Sequence, residues 1–202
     1  MTFLVAFARK DFALLASDTR SVRRETPDGP VVDFSDEGEK IVEYDTGWLA
    51  SGPCKAWREA FLAGRDPVDF MRELEIEDPE FAGIVRDRQS TLIVEPGTRR
   101  MLDCEGCVRF PDAKPSTVLS LCPNGSLPAA MQRLLDNYQR MIAGCGLDLV
   151  LHATHALYRS AYEHCGPNGA SGPKFHAAIV TTDGRREMFG SFNVLEPLEL
   201  VA

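Results

Sequence analysis

The sequence is short of several things, and each shortage removes a class of protein. No stretch approaches about 18 consecutive apolar residues, so no membrane-spanning helix is predicted. Positive charge is in the minority: 22 Lys and Arg stand against 30 Asp and Glu, for a formal net charge of −8. With a pI near 5.0, the chain is expected to bind neither nucleic acid in general nor an anionic membrane surface. The first residues lack a basic segment, an unbroken apolar run and a small-residue cleavage site. No secretory signal is therefore read, and a cytoplasmic location with reduced cysteines is expected. Gly and Pro, 16 and 13 residues, are not in excess, so disorder does not dominate. There is no internal repeat and no low-complexity segment. Among the cysteines there is one CxxC, Cys104-Glu105-Gly106-Cys107, and no second. His152 and His155 fall on a predicted helix far from it. A zinc ribbon needs two matched knuckles, so the CEGC segment reads as a turn with incidental cysteines, and neither metal nor cofactor is expected.

What remains is a globular chain of 202 residues, 44% hydrophobic. That length and composition suit one domain, residues 1–202, with a real core. Two short apolar runs, TFLVAFA from Thr2 to Ala8 and FALLAS from Phe12 to Ser17, flank a polar turn and read as a hairpin buried on both faces. Ser21 to Gly38 is charged and holds Pro27, Asp28-Gly29 and Pro30, which predicts a loop or a loose excursion. Lys40–Tyr44 with Gly47–Ser51 form a second hairpin pattern, and Thr91–Glu95 with Arg99–Asp103 a third. Ser116–Leu121 is a further strand.

Helical spacing runs over Lys55–Ala63, and Asp66-Pro67 predicts an N-cap with Pro at the first helical position, opening a helix to about Glu75. Leu127–Ala143 and Leu147–His164 carry apolar residues near a 3.6 period, and the Gly144-Cys145-Gly146 break between them predicts that the two helices fold back on each other. The hairpin Phe175–Thr181 and Glu187–Phe192 closes the chain. Hairpins without βαβ crossovers imply antiparallel sheets, and helices in blocks imply an α+β fold. A four-layer α-β-β-α sandwich, two facing antiparallel sheets each covered by a helix pair, fits this order.

The chemistry turns on Thr2. A threonine hydroxyl is a weak nucleophile and needs a base. An α-amino group, with a pKa near ~7.7–8.0, is in part a free base at neutral pH. If Met1 is removed, Thr2 carries both, and its small side chain suits removal of the methionine. The alternative is an ordinary strand threonine. Such a nucleophile also needs a cation to tune it, an acid to hold that cation, and backbone N–H donors for an oxyanion. Lys40 opens a strand, Asp18 and Arg20 follow another, and Gly52 ends a third. Singly, these residues read as a surface lysine, a turn acid, a solvated charge and a helix-entry turn.

Taken together, Thr2, the segment Ala16-Ser17-Asp18-Thr19-Arg20, the segment Glu39-Lys40-Ile41 and the segment Leu49-Ala50-Ser51-Gly52 resemble the proteasome β-subunit family of N-terminal-nucleophile hydrolases, which includes the bacterial HslV-type peptidase. The resemblance implies the four-layer fold named above. It implies Thr2 as nucleophile, Asp18 as the acid that orients the lysine, Lys40 as the catalytic lysine and Gly52 as the oxyanion donor. Downstream, Ser126 in Asn124-Gly125-Ser126 matches the family's loop serine. Ser171 in Asn168-Gly169-Ala170-Ser171-Gly172 keeps its place in the family's Asp-x-x-Ser-Gly, but Asn168 stands where the family has an acid. An asparagine can orient a hydroxyl and is no base.

The segment between Arg20 and Lys40 is longer and more charged than the resemblance predicts. Only Met1 precedes Thr2, as in the HslV type. The resemblance further implies a peptide or protein substrate, a homo-oligomeric ring and an ATP-dependent unfoldase as a possible partner. Two rival readings use the same fold: a weak or inactive structural subunit of a ring, and an amidase acting on a small molecule.

Overall fold

The structure, a computed structural model, describes residues 3–25, 31–44, 47–51, 59–60, 62–80, 82, 91–95, 98–103, 106–109, 118–121, 129–165 and 171–198. Strand β1 (Leu4–Ala8) and β2 (Phe12–Asp18) form the expected hairpin, and every residue of both is buried. Among the described residues, β3 (Ser21–Arg24) and β4 (Val31–Ser35) pair only with each other. β5 (Ile41–Tyr44), β6 (Gly47–Ser51), β7 (Thr91–Glu95), β8 (Thr98–Asp103) and β9 (Gly106–Arg109) form a five-stranded meander in chain order. β10 (Val118–Leu121), β11 (Lys174–Thr181) and β12 (Arg186–Asn193) join the first hairpin in a second sheet of order β10-β1-β2-β11-β12. Every pairing in both sheets is antiparallel.

The helices described in full are α1 (Pro67–Glu77), α2 (Ala129–Ile142) and α3 (Leu147–Cys165). Asp66 caps α1 as its sequence predicts: its carboxylate accepts from the Val68 and Asp69 amides at 2.8 and 3.1 Å, and Pro67 follows at the first helical position. Those two bonds satisfy amides that have no partner within the helix. Among the described residues, no helix is long and apolar enough to cross a membrane.

The first hairpin is apolar on both faces because both faces are covered. Phe3, Val5, Phe7, Phe12, Leu14 and Ala16 pack with Tyr138 and Ile142 of α2 and Leu151, Leu157 and Tyr158 of α3. On the opposite face Leu4, Ala6, Ala13 and Leu15 pack with Ile41 of β5 and Val94 of β7. Alternate residues of one strand therefore serve two different interfaces, as the two-residue period of a strand dictates. The α2–α3 pair, the β10-β1-β2-β11-β12 sheet and the meander lie in contact in that order. Between α2 and α3, the Tyr138 hydroxyl lies 2.7 Å from Thr154 Oγ1, whose own proton goes to the Val150 carbonyl. Helix α1 packs Phe70 and Met71 against Ala60 and Ala82. The rest of the helix expected over Lys55–Ala63 lies outside the described residues.

Two expectations from sequence are corrected. The segment from Ser21 to Gly38 carries two strands: Val22, Val31, Val32 and Phe34 are good strand residues, and Ser21–Arg24 pairs with Val31–Ser35 as the β3–β4 hairpin, while residues 26–30 lie outside the described residues. Cys107 is part of strand β9, opposite Leu102. The turn signal had hidden a strand only four residues long, while Cys104 and Glu105 lie outside the described residues.

Candidate active site

The open end of the first hairpin is where charge enters the core. The chain continues past the last apolar residue of β2, Ala16, into Ser17, Asp18, Thr19 and Arg20, and all four are buried. Asp18 is fully enclosed, and its carboxylate takes three donors. Oδ1 accepts the Phe3 amide at 2.6 Å. Oδ2 accepts the Arg20 amide at 3.0 Å and the Lys40 ammonium at 3.1 Å. Lys40, just ahead of β5 and 7% exposed, donates a second bond to the Arg20 carbonyl at 2.7 Å. The predicted acid and lysine are thus one buried ion pair.

Burial works on both members toward neutrality. It pushes Lys40 below the ordinary lysine range, against the pull of Asp18. It also pushes Asp18 above the usual carboxylate range, against Lys40 and the Phe3 amide. A lysine depressed in this way, beside a carboxylate that cannot reach water, gives up its proton more easily than a surface lysine. Such perturbed pairs are found in structural networks and in active sites alike.

Phe3 is held from three sides. Its amide donates to Asp18, its carbonyl accepts from the Asp18 amide at 3.1 Å, and the same carbonyl accepts from the buried Tyr158 hydroxyl at 2.9 Å. The Tyr158 ring stacks on Phe175 at 4.6 Å and meets the Phe3 ring at 5.1 Å. Tyr158 was legible as a core position on its helix. Its bond to a residue 155 positions away had no signal in the sequence.

Arg20, the last residue of the Asp-x-Arg segment, is no solvated charge. Its side chain is 2% exposed and forms a two-pronged pair with Asp36, Nε to Oδ1 at 2.7 Å and Nη2 to Oδ2 at 2.9 Å. Ser171 is brought to the same region through its neighbour. A side chain placed on Gly172 would come within 3.1 Å of Arg20 Cβ, and the strand that follows, β11, pairs Phe175 with Asp18. Ser171 is 3% exposed, and its hydroxyl has no hydrogen-bond partner among the described residues. Of the predicted site residues, Asp18, Lys40 and Ser171 are therefore placed around the Arg20 backbone and side chain. Thr2, Gly52, Ser126 and Asn168 lie outside the described residues.

Among the described residues no group of three or more His, Cys, Asp or Glu is placed to hold a metal ion. No protein-family model matches the chain, and no curated protein does.

Proposed function

We propose that the chain is an N-terminal-nucleophile hydrolase of the proteasome β-subunit kind, a threonine peptidase whose Thr2 is exposed by removal of Met1. The observation that carries this reading is the carboxylate of Asp18, which holds Lys40 with one oxygen and the Phe3 amide with the other. The Phe3 nitrogen is the atom to which residue 2 is joined. The acid, the lysine and the start of the chain are therefore linked through a single side chain.

On this reading the free amine of Thr2, directly or through a water, takes the proton of the Thr2 hydroxyl as its oxygen attacks a peptide carbonyl. The backbone N–H of Gly52 holds the oxyanion, and Lys40, fixed by Asp18 and the Arg20 carbonyl, stabilises the developing negative charge. The amine returns its proton to the leaving nitrogen as the C–N bond breaks. Water then attacks the ester, regenerating the hydroxyl and releasing the acid. Ser126, Asn168 and Ser171 orient the amine and its proton. The four-layer sandwich belongs to the same proposal, with a second helix layer over the outer face of the meander. So do a homo-oligomeric ring and an ATP-dependent unfoldase as its feeder.

The test is intact-mass analysis of the purified chain before and after reaction with a peptide epoxyketone, which needs both the hydroxyl and the amine of an N-terminal threonine. The expected result is loss of Met1 and one adduct mapped to Thr2. Retained Met1, or no adduct, overturns the peptidase reading. Light scattering tests the ring separately: a monomer counts against a chambered peptidase.

A further inference from the structure

The excursion between Arg20 and Lys40 leaves the candidate site as β3 and comes back to it at Asp36. Its return is tight. The Gly38 amide donates to the Thr19 carbonyl at 2.9 Å, and a side chain at Gly38 would come within 2.7 Å of that same oxygen. Thr19 Oγ1 in turn donates to the Asp36 carbonyl at 2.7 Å. These contacts hold the Asp36 carboxylate on the Arg20 guanidinium in the two-pronged geometry that best matches the pair. The Phe34 ring, from the same hairpin, lies 4.3 Å from the guanidinium carbon. On the far side stands Gly172. A side chain there would come 2.4 Å from Asp36 Oδ1, so the carboxylate occupies the space that the glycine leaves.

Arg20 cannot move without disturbing the ion pair beside it. Its amide donates to Asp18 and its carbonyl accepts from Lys40, so the backbone of Arg20 forms part of the surroundings of both charges. We infer that Asp36 is a positioning residue of the Asp18–Lys40 centre, supplied by the β3–β4 hairpin, which fixes Arg20 and closes against Gly172 next to Ser171. The inference rests on the chemistry proposed above for that centre. It also gives the long excursion a role, since the hairpin brings a carboxylate to a site for which the resemblance has Asn168 in place of the family's acid. Lys40 is faced by Asp18 from β2, by Asp36 from the hairpin and by His176 from β11, and the negative charge of Asp36 favours its ammonium form.

The experiment compares Asp36→Asn, Asp36→Ala, Gly172→Ala and Asp36→Glu in the full chain. Two quantities are followed: the rate of epoxyketone adduct formation at Thr2, and the titration of the Lys40 side chain by NMR, assigned with Lys40→Arg. Asp36→Asn and Asp36→Ala are expected to slow the adduct about tenfold or more, the scale of loss that a small misplacement of a reacting group brings. They are also expected to lower the Lys40 titration, since an anion has been removed. Gly172→Ala, which forces the carboxylate off Arg20, should act in the same direction, and Asp36→Glu should restore part of both. An adduct rate within about twofold of the parent, or a slowed adduct with an unmoved Lys40 titration, overturns the inference. If the parent chain forms no adduct, the Thr2 reading fails by itself. The Lys40 titration then decides on Asp36: lowered supports it, unmoved overturns it.

Discussion

At the turn that joins β1 to β2, Arg9 and Asp11 form an ion pair in the open, with side chains 21% and 57% exposed. At the other end of the same two strands Asp18 and Lys40 form one that is 0% and 8% exposed. The strands between them are buried throughout and apolar as far as Ala16. The turn is the ordinary arrangement, in which water keeps both charges solvated and their attraction is weak. The open end is the expensive one. Two charges are taken out of water, and the attraction between them offsets that cost only because three further donors and acceptors are in place: the Phe3 amide, the Arg20 amide and the Arg20 carbonyl. A sheet that needed only stability would put apolar residues there. An arrangement this costly is in keeping with the chemistry proposed for that end.

The largest effects are expected from breaking the buried pair. Lys40→Met or Asp18→Leu alone leaves a buried group without its partner, and such losses run to about 3–5 kcal/mol. The double variant leaves no stranded charge and is expected to be distinctly more stable than the sum of the two singles. Urea unfolding of the four proteins checks this. If the single variants lose less than about 1 kcal/mol, the range of an exposed pair, the two ends of the hairpin are energetically alike and the comparison collapses.

A smaller effect is expected one layer out, at the tyrosine that holds Phe3. Tyr158→Phe keeps the ring stacking and loses one hydrogen bond, for a cost of about 0.5–1.5 kcal/mol at neutral pH. The variant also changes the response to alkali. Burial, helped by the negative charge of Asp18, pushes the Tyr158 hydroxyl well above the ordinary tyrosine value, and burial does the same at Tyr138. Above about pH 10 the unfolded chain has lost these protons while the folded chain still holds them. Folded stability is then full below that pH and falls as pH rises beyond it. Thermal unfolding between pH 8 and 11 should show the fall, and Tyr158→Phe should show a shallower one. Equal slopes would mean that Tyr158 is not held protonated by the fold.

Sequence and structure part company according to range. Four of the hairpins (β1–β2, β5–β6, β7–β8 and β11–β12), the Asp66-Pro67 helix start and the fold-back of α2 on α3 were legible because each rests on neighbours along the chain: a two-residue period, a cap, a glycine break. Asp18 and Lys40 were legible as a pair only through the resemblance, since nothing in the residues between them says that they meet. The grip of Asp36 on Arg20 was not legible at all. Sixteen residues separate them, and Asp36 lies in a charged stretch that looks like any solvated loop. Tyr158 shows the same limit from the other side. Its helical spacing gave its burial, while its hydroxyl's partner, the Phe3 carbonyl, depends on how α3 is laid across the sheet that holds β1 and β2. Periodicity fixes which face of an element is buried, and the polar contacts of a site depend on how distant elements meet.

The smallest expected effect lies at the turn. Asp11→Ala removes the exposed partner of Arg9, but Arg9 keeps two other contacts: its guanidinium donates to the Cys145 carbonyl at 2.7 Å and lies 4.7 Å from the centre of the Phe12 ring. The arginine is thus not stranded when the aspartate goes, as Lys40 would be without Asp18. With more than half of the Asp11 side chain in water, the expected loss is about 0–1 kcal/mol. Because the Debye length shrinks to about 3 Å at 1 M salt, even that difference should vanish in concentrated sodium chloride, whereas the cost of breaking the buried pair should persist. Measuring both variants at low and high salt separates the two ends more cleanly than either loss alone. A salt-sensitive Lys40→Met, or a salt-insensitive Asp11→Ala of similar size, would mean that burial does not distinguish them.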